Sequence, residues 1–189
     1  MKKLILRNLN GKRIFILFIL TSIVYTIMLT VTIPKVMGFA GGMKLLDMLP
    51  TGYTTDYVNS LLTALGAEGR KTYLYQQIPL DLIYPCLFGI TYCLLYAFII
   101  NKLGKQDSFL FYLCFIPVFA GFFDYLENIG IITILKSYPE NSSTMSQLTN
   151  IFSISKSTLT TIYFVALLIA LLTLLTKYIM SRNKKTTNR

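Results

Sequence analysis

Histidine and tryptophan are missing from this 189-residue chain, and acidic residues number only eight. Without histidine, the chain cannot build His-containing metal sites, Ser-His or Cys-His catalysis, or imidazole proton relays. The three cysteines, Cys86, Cys93 and Cys114, lie in apolar runs without C-x-x-C spacing, so we interpret them as packing residues. No P-loop, glycine-rich dinucleotide motif or metal-ligand spacing is present. We therefore expect no cofactor and no metal, and any chemistry must use carboxylates, Lys, Arg, Tyr, Ser or Thr.

Long apolar runs dominate what is present. Hydrophobic residues make up 54% of the chain and the mean hydropathy is +0.59, which exceeds the usual values for soluble domains. Each run is long enough to cross about 30 Å of hydrocarbon, which needs about 20 helical residues. The runs lack the two-residue alternation of barrel strands. The sequence predicts an all-α integral membrane four-helix bundle that forms one membrane domain, with spans at about 14–33, 78–100, 109–135 and 157–179.

Basic residues are distributed unevenly along the chain. Twelve of the 18 (five, two and five) precede the first span, lie in the short loop after the second, or follow the fourth. The positive-inside rule then predicts that both termini are cytoplasmic in a plasma membrane. We expect these ends to bind anionic lipid headgroups and not nucleic acid, because no nucleic-acid motif accompanies them. The first run is also compatible with a signal peptide. We expect an uncleaved helix, since the run is longer than a usual signal core.

The segment between the first two spans predicts helical structure outside the bilayer. Pro34 and the glycine-rich stretch 38–42 are expected to end the first helix. Thr54, Thr55 or Asp56 can cap a helix with apolar residues at helical spacing, and Gly66 is expected to stop it. A second helical piece follows at 68–77, so we predict an external amphipathic helical hairpin. This external helical segment is expected to cover residues 43–77, and residues 136–150 are predicted to form a second external loop. Residues 181–189 are expected to form a cytoplasmic tail, which is polar and predicted to be disordered after Arg182.

Two carboxylates interrupt the third apolar run. Asp124, Glu127 and Asn128 have the spacing i, i+3 and i+4, which places them on one helix face. A charged side chain at membrane depth is costly unless it is paired, hydrated or protonated, so such residues indicate function. Two acids this close are expected to share a proton.

Polar residues of three spans reach a similar depth and form the candidate ligand-binding set. Its members are Asp81, Tyr84, Asp124, Glu127, Asn128, Ser153 and Lys156, with Arg70 from the external segment. In a structural interpretation, Lys156 or Arg70 neutralises Asp81 or Glu127, while Asn128 and the serines form interhelical hydrogen bonds that hold the bundle together. In a functional one, the acids line a pocket open to the outer leaflet. We favour the structural interpretation for Asp81 and Lys156, and the functional interpretation for Asp124 with Glu127.

Two stretches, LLTALGAEGRKTYLYQQIPLDLIYP (61–85) and AGFFDYLENIGIITILKSYP (120–139), carry a resemblance. They resemble small four-span bacterial membrane proteins with no established activity, so the resemblance implies a fold and no mechanism. The topology is similar to that of claudin-like proteins. However, the W-x-x-W motif and paired external cysteines of claudins are missing, which leaves an architectural analogy alone.

Three functions are compatible with the sequence. The first is binding or transport of a cationic or polar lipid-like ligand, with or without proton coupling. The second is an intramembrane enzyme acting on a lipid headgroup, with Asp124 or Glu127 as general acid/base, Lys156 or Arg70 holding an anion, or a Ser153–Lys156 dyad. The third is an accessory or assembly subunit in which the acids only fix helix pairing. A homo-oligomer or a larger membrane partner is compatible with the sequence as well. We favour the first, because no nucleophile motif is present.

Overall fold

The computed structural model describes residues 2–140 and 142–187, with side chains described as far as residue 181. In this part of the chain every regular element is helical and no strand occurs. The α-helices are α1 (Lys2–Arg7), α2 (Gly11–Ile27), α3 (Ile33–Phe39), α4 (Thr55–Thr72), α5 (Ile78–Lys102), α6 (Ile116–Ser137) and α7 (Ser143–Thr187). Between them lie two π-helical turns, Met28–Thr32 and Tyr73–Gln77, and two 3-10 helices, Leu46–Met48 and Phe109–Phe115.

Four helical stretches are long and apolar enough to cross a membrane. They are Gly11–Phe39, Thr55–Lys102, Phe109–Ser137 and Ser143–Ser181. This finding confirms the predicted all-α four-helix membrane bundle.

The first span continues through Pro34 to Phe39, although Pro34 was expected to end it. Proline has no N–H, and its ring clashes with the carbonyl four residues earlier in a regular α-helix. The π-helical turn Met28–Thr32 lies immediately before it, and the N–H of Ile33 donates to the carbonyl of Met28, five residues back. The wider turn therefore lets the helix pass the proline. Two glycines with φ of 61° and 88° then turn the chain after residue 40.

Three segments meet at one end of the bundle, which we call the basic end: α1, the loop 103–108 and the last turns of α7. The Lys2 ammonium pairs with Asp107 at 2.8 Å, and the Lys177 ammonium donates to the Leu103 carbonyl at 3.1 Å. Because these segments lie together, successive spans run in opposite directions. Among the residues of these three segments whose side chains are described, Asp107 is the one acid, whereas the basic residues are Lys2, Lys3, Arg7, Lys105 and Lys177.

Residues 40–77, which we call the cap, cover the opposite end. Helix α4 begins at Thr54, whose hydroxyl accepts a hydrogen bond from the N–H of Tyr57, as the capping pattern predicts. Gly66 leaves the helical conformation, with φ 60° and ψ −173°, and so produces the expected break. The second arm of the hairpin then runs through the π-helical turn Tyr73–Gln77 directly into α5.

The cap is held by its apolar face. Leu61, Leu62 and Leu65 are buried and pack in one cluster with Ile131 and Ile134 of α6. Burial of a leucine side chain contributes about 1.5–3 kcal/mol. The three leucines are among the apolar residues whose helical spacing predicted this helix. Their burial makes the cap a packed part of the bundle.

The connection between the third and fourth spans is shorter than predicted. Helix α6 runs to Ser137 and α7 begins at Ser143, after Ser142 accepts a hydrogen bond from the N–H of Met145 at 3.4 Å. Asn141 lies outside the described residues. At the other end, the tail predicted to be disordered is helical as far as Thr187, and residues 188–189 also lie outside the described part.

The spans pack in chain order, α2 on α5, α5 on α6 and α6 on α7. The hydroxyls of Thr21 and Thr91 form a 2.8 Å hydrogen bond that joins α2 to α5. Near the basic end, the Tyr163 hydroxyl of α7 donates to the Tyr92 carbonyl of α5 at 2.8 Å. Interhelical hydrogen bonds of this kind contribute about 0.6 kcal/mol on average in membrane proteins.

Candidate functional site

A cavity of about 420 Å³ lies beneath the cap, between α2, α5, α6 and α7. Its size falls within the range of about 300–1,000 Å³ that is typical of small-molecule sites. Its charged lining residues are Asp47, Asp81, Asp124 and Lys156. Three carboxylates and one ammonium therefore share this space.

Lys156 of α7 joins two acids of α6. Its ammonium lies 3.2 Å from Oδ1 of Asp124 and also pairs with Oε2 of Glu127. Asp124 lines the cavity, whereas Glu127 is fully buried and is not among the lining residues. The i, i+3 spacing explains the arrangement, since it places both acids within reach of one cation. The structural interpretation had paired Lys156 with Asp81 or Glu127, and the structure adds Asp124 in place of Asp81.

Asp81 of α5 has no such partner. Its side chain lines the cavity, the residue is 4% exposed, and Oδ2 has no hydrogen-bond partner within the described part of the chain. No described lysine or arginine forms an ion pair with it. An unpaired buried carboxylate is strongly destabilising, so this residue must be neutral or must meet a cation that enters the cavity.

The backbone of Asp81, in contrast, is held firmly. Pro85 lies four residues later in α5 and has no N–H, so it cannot donate the helical hydrogen bond to the Asp81 carbonyl. Nδ2 of Asn128 from α6 donates to that carbonyl at 3.0 Å. Freed backbone groups next to a transmembrane proline need such a partner. Asn128 is therefore a positioning residue that fixes the turn carrying Asp81.

Asp47 was not among the sequence candidates. It lies in the 3-10 helix of the cap, lines the cavity, and accepts a hydrogen bond from the buried Tyr73 hydroxyl at 3.0 Å. Its short segment has no periodic pattern, so its approach to the spans could not be read from local sequence. With Asp47, three acids line the cavity and Glu127 lies buried behind it, whereas Lys156 is the one basic residue of the described lining.

Aromatic rings form another wall of the cavity. Tyr25 of α2 stacks on Tyr84 of α5 with ring centroids 5.3 Å apart, and Tyr84 contacts Phe88 at 5.7 Å. All three residues line the cavity. Aromatic faces attract cations, and the effect grows when water is excluded. The wall thus complements the acids and would favour an organic cation.

The remaining candidates lie outside the lining. Ser153 of α7 is buried three residues before Lys156, and its hydroxyl has no partner among the described residues. Arg70 is not brought to the site. Its guanidinium donates to the Leu62 carbonyl at 2.7 Å and lies 4.0 Å from the centre of the Tyr138 ring. Arg70 lies on the second arm of the hairpin, after the break at Gly66, and its half-buried side chain contacts the cap and Tyr138 instead of the cavity.

The geometry bears on the possible chemistry. Within the described residues, no group of three His, Cys, Asp or Glu residues is arranged to hold a metal ion. Lys156 contacts two carboxylates, which stabilises its charged form and opposes a role as base for Ser153. The contacts of Lys156 therefore argue against the Ser153–Lys156 dyad.

No family model, curated protein or solved structure matches this chain.

Proposed function

We propose that the protein binds or transports a cationic, lipid-like ligand in the cavity beneath the cap. The observation that carries the proposal is Asp81, a buried acid that faces the cavity without a partner. A ligand cation would remove the free-energy penalty of this unpaired acid. With both termini in the cytoplasm of a plasma-membrane protein, the cavity would open toward the outer leaflet.

The lining supports an organic ammonium with an apolar chain. Tyr25 and Tyr84 supply aromatic faces for the cation, while Met28, Leu29 and Ile33 supply an apolar surface. Leu29 is also 42% exposed on the outer surface of the bundle, where lipid would lie. A chain attached to the ammonium would therefore extend between α2 and α7 into the bilayer.

Lys156 would act as an internal counter-ion that yields to the ligand. Its ammonium contacts Asp124, which lines the cavity, and Glu127, which does not. When a cation enters, Asp124 can turn to it while Glu127 still neutralises Lys156. The ion pairs of Lys156 thus stabilise the empty cavity, and ligand binding frees the Asp124 carboxylate to contact the ligand cation.

Thermal stability with dodecyltrimethylammonium tests the proposal. The purified protein in dodecyl maltoside should melt at a higher temperature with the probe, because a ligand that binds the native state stabilises it. Asp81→Asn should lose most of this shift. Asp56→Asn is the matched control, since Asp56 is an exposed acid of the cap that does not line the cavity. Uncharged dodecanol should give no shift, and an equal shift in wild type and Asp81→Asn would refute the proposal.

Proton coupling is tested by calorimetry of the same probe in two buffers with different ionisation enthalpies. If Asp81 is neutral in the empty cavity, cation binding should release about one proton per site, and the affinity should rise with pH. Asp81→Asn should abolish the release. A buffer-independent binding enthalpy would contradict proton coupling while leaving cation binding intact.

A further inference from the structure

A second cavity lies outside the proposed site, nearer the basic end, and we call it the inner groove. It has a volume of about 470 Å³ and lies between α1, α2, α5 and the start of the third span. Its apolar lining includes Leu4, Leu17, Ile90, Leu94 and Phe115. The cavity under the cap shares none of these residues.

One charged residue, Arg13, lines the inner groove. It is exposed at the first turn of α2, where its backbone N–H donates to the Asn10 side chain. Its guanidinium has no described hydrogen bond, ion pair or ring contact. Asp107, the acid in the loop of the basic end, is already paired with Lys2 at 2.8 Å. The guanidinium therefore remains available at the mouth of an apolar groove.

The groove runs from the basic end toward the middle of the bundle. Arg13 lies near the start of the first span, while Ile90 lies twelve residues, about 18 Å, before the end of α5 at Lys102. A guanidinium presents a planar set of donors that matches a phosphate, and an apolar channel behind it matches a hydrocarbon chain. The guanidinium at one end and the apolar channel behind it therefore match the headgroup and the acyl chain of a phospholipid.

We infer that the inner groove binds one anionic phospholipid, with its phosphate on Arg13 and an acyl chain along α2 and α5. The surplus of cations at the basic end favours an anionic headgroup over a zwitterionic one. The inference does not depend on the proposed function, because the two cavities have separate linings.

Fluorescence quenching tests the inference, since the chain contains no tryptophan. Phe115→Trp places a single reporter in the groove, where Phe115 is half-buried. Ile16→Trp is the bulk-lipid control, because Ile16 is 56% exposed one turn from Arg13 and does not line the groove. The full chain is reconstituted in phosphatidylcholine vesicles with brominated phosphatidylglycerol or brominated phosphatidylcholine as quencher.

The groove reporter should show about a fivefold preference for the brominated anionic lipid, as expected for one phosphate contact. The bulk reporter should show a preference close to one. In the Phe115→Trp background, Arg13→Gln should remove the preference and Arg13→Lys should retain most of it. Lys12→Gln should leave it unchanged, since Lys12 is an exposed neighbour of the same charge outside the lining.

Three results would overturn the inference. Equal preferences at both reporters would show a general attraction of anionic lipid to the basic end. Equal losses in Arg13→Gln and Lys12→Gln would show that no specific contact exists. Quenching of the bulk reporter alone would show that lipid does not enter the groove, as when a second copy of the chain covers it. Because the Arg13 side chain has no described partner to lose, and its backbone hydrogen bond to Asn10 is kept, its variants should fold normally, which their melting temperatures would verify.

Discussion

The hydrogen bond from Asn128 to the Asp81 carbonyl gives the sharpest stability prediction. Pro85 removes the normal helical donor to this carbonyl, and Asn128 replaces it from the neighbouring span at 3.0 Å. Asn128→Leu would leave a buried carbonyl without that donor. The expected loss is about 1–2 kcal/mol, between the average interhelical hydrogen bond and the full penalty of an unsatisfied group.

A double-mutant cycle with Pro85→Ala isolates this contact. Alanine restores an N–H four residues after Asp81, so the carbonyl regains a helical donor and Asn128 becomes less important. The loss caused by Asn128→Leu should therefore fall below about 0.5 kcal/mol in the Pro85→Ala background, a coupling of about 1 kcal/mol. Oδ1 of Asn128 has no described partner, and its removal affects both backgrounds alike, so it cancels in the cycle.

The assay is equilibrium unfolding in mixed micelles of dodecyl maltoside and sodium dodecyl sulfate. Pro79→Ala serves as the control background, because Pro79 lies at the start of α5 and its removal gives no donor to Asp81. Asn128→Leu should have the same effect there as in the wild type. If the effect is equal in the Pro85→Ala background as well, the reasoning is refuted and Asn128 contributes by packing alone.

Two further predictions concern the walls of the cavity. A Cβ on Gly121 would lie 2.8 Å from the Pro85 carbonyl oxygen, so Gly121→Ala should destabilise by about 1–3 kcal/mol in the same unfolding assay. Gly89→Ala is the control, because its Cβ would make an ordinary 3.5 Å contact. Lys156→Gln should destabilise by about 3 kcal/mol, since it leaves Glu127 buried without its cation, and adding Glu127→Gln should restore most of the loss. A full loss that the second change does not rescue would show that Lys156 acts through other contacts.

The sequence predicted the bundle because span length and hydropathy are local properties. The π-helical turn before Pro34 was not predictable in this way, since a proline alone indicates either a helix end or a local widening. The start of α7 at Ser143 was also missed. Serine-rich and asparagine-rich segments suit loops in general, and only packing against α6 decides that this one is helical.

The sequence predicted the part of the candidate site that lies on one helix. It did not predict the positions of residues that the cap brings to the cavity or keeps away from it. The spacing of Asp124 and Glu127 on α6 was sufficient to place them together, and both meet Lys156. The positions of Asp47 and Arg70 depend on how the cap folds back over the spans, which includes the break at Gly66. Long-range placement of this kind leaves no periodic signal in a single sequence.

Substitution of Asp81 distinguishes a ligand-binding role of the acids from a role in helix packing alone, because the backbone and the side chain of Asp81 have different surroundings. Its carbonyl is held by Asn128, while its carboxyl group faces the cavity without a partner.

If the acids only held helices together, Asp81→Asn should destabilise the protein. If Asp81 is kept for a ligand, the same change should leave the empty protein's free energy of unfolding unchanged or raise it by up to about 2 kcal/mol. It should at the same time remove the stabilisation by dodecyltrimethylammonium. A gain in stability together with a loss of binding is the pattern expected of a residue retained for function, and unfolding with and without the probe measures both.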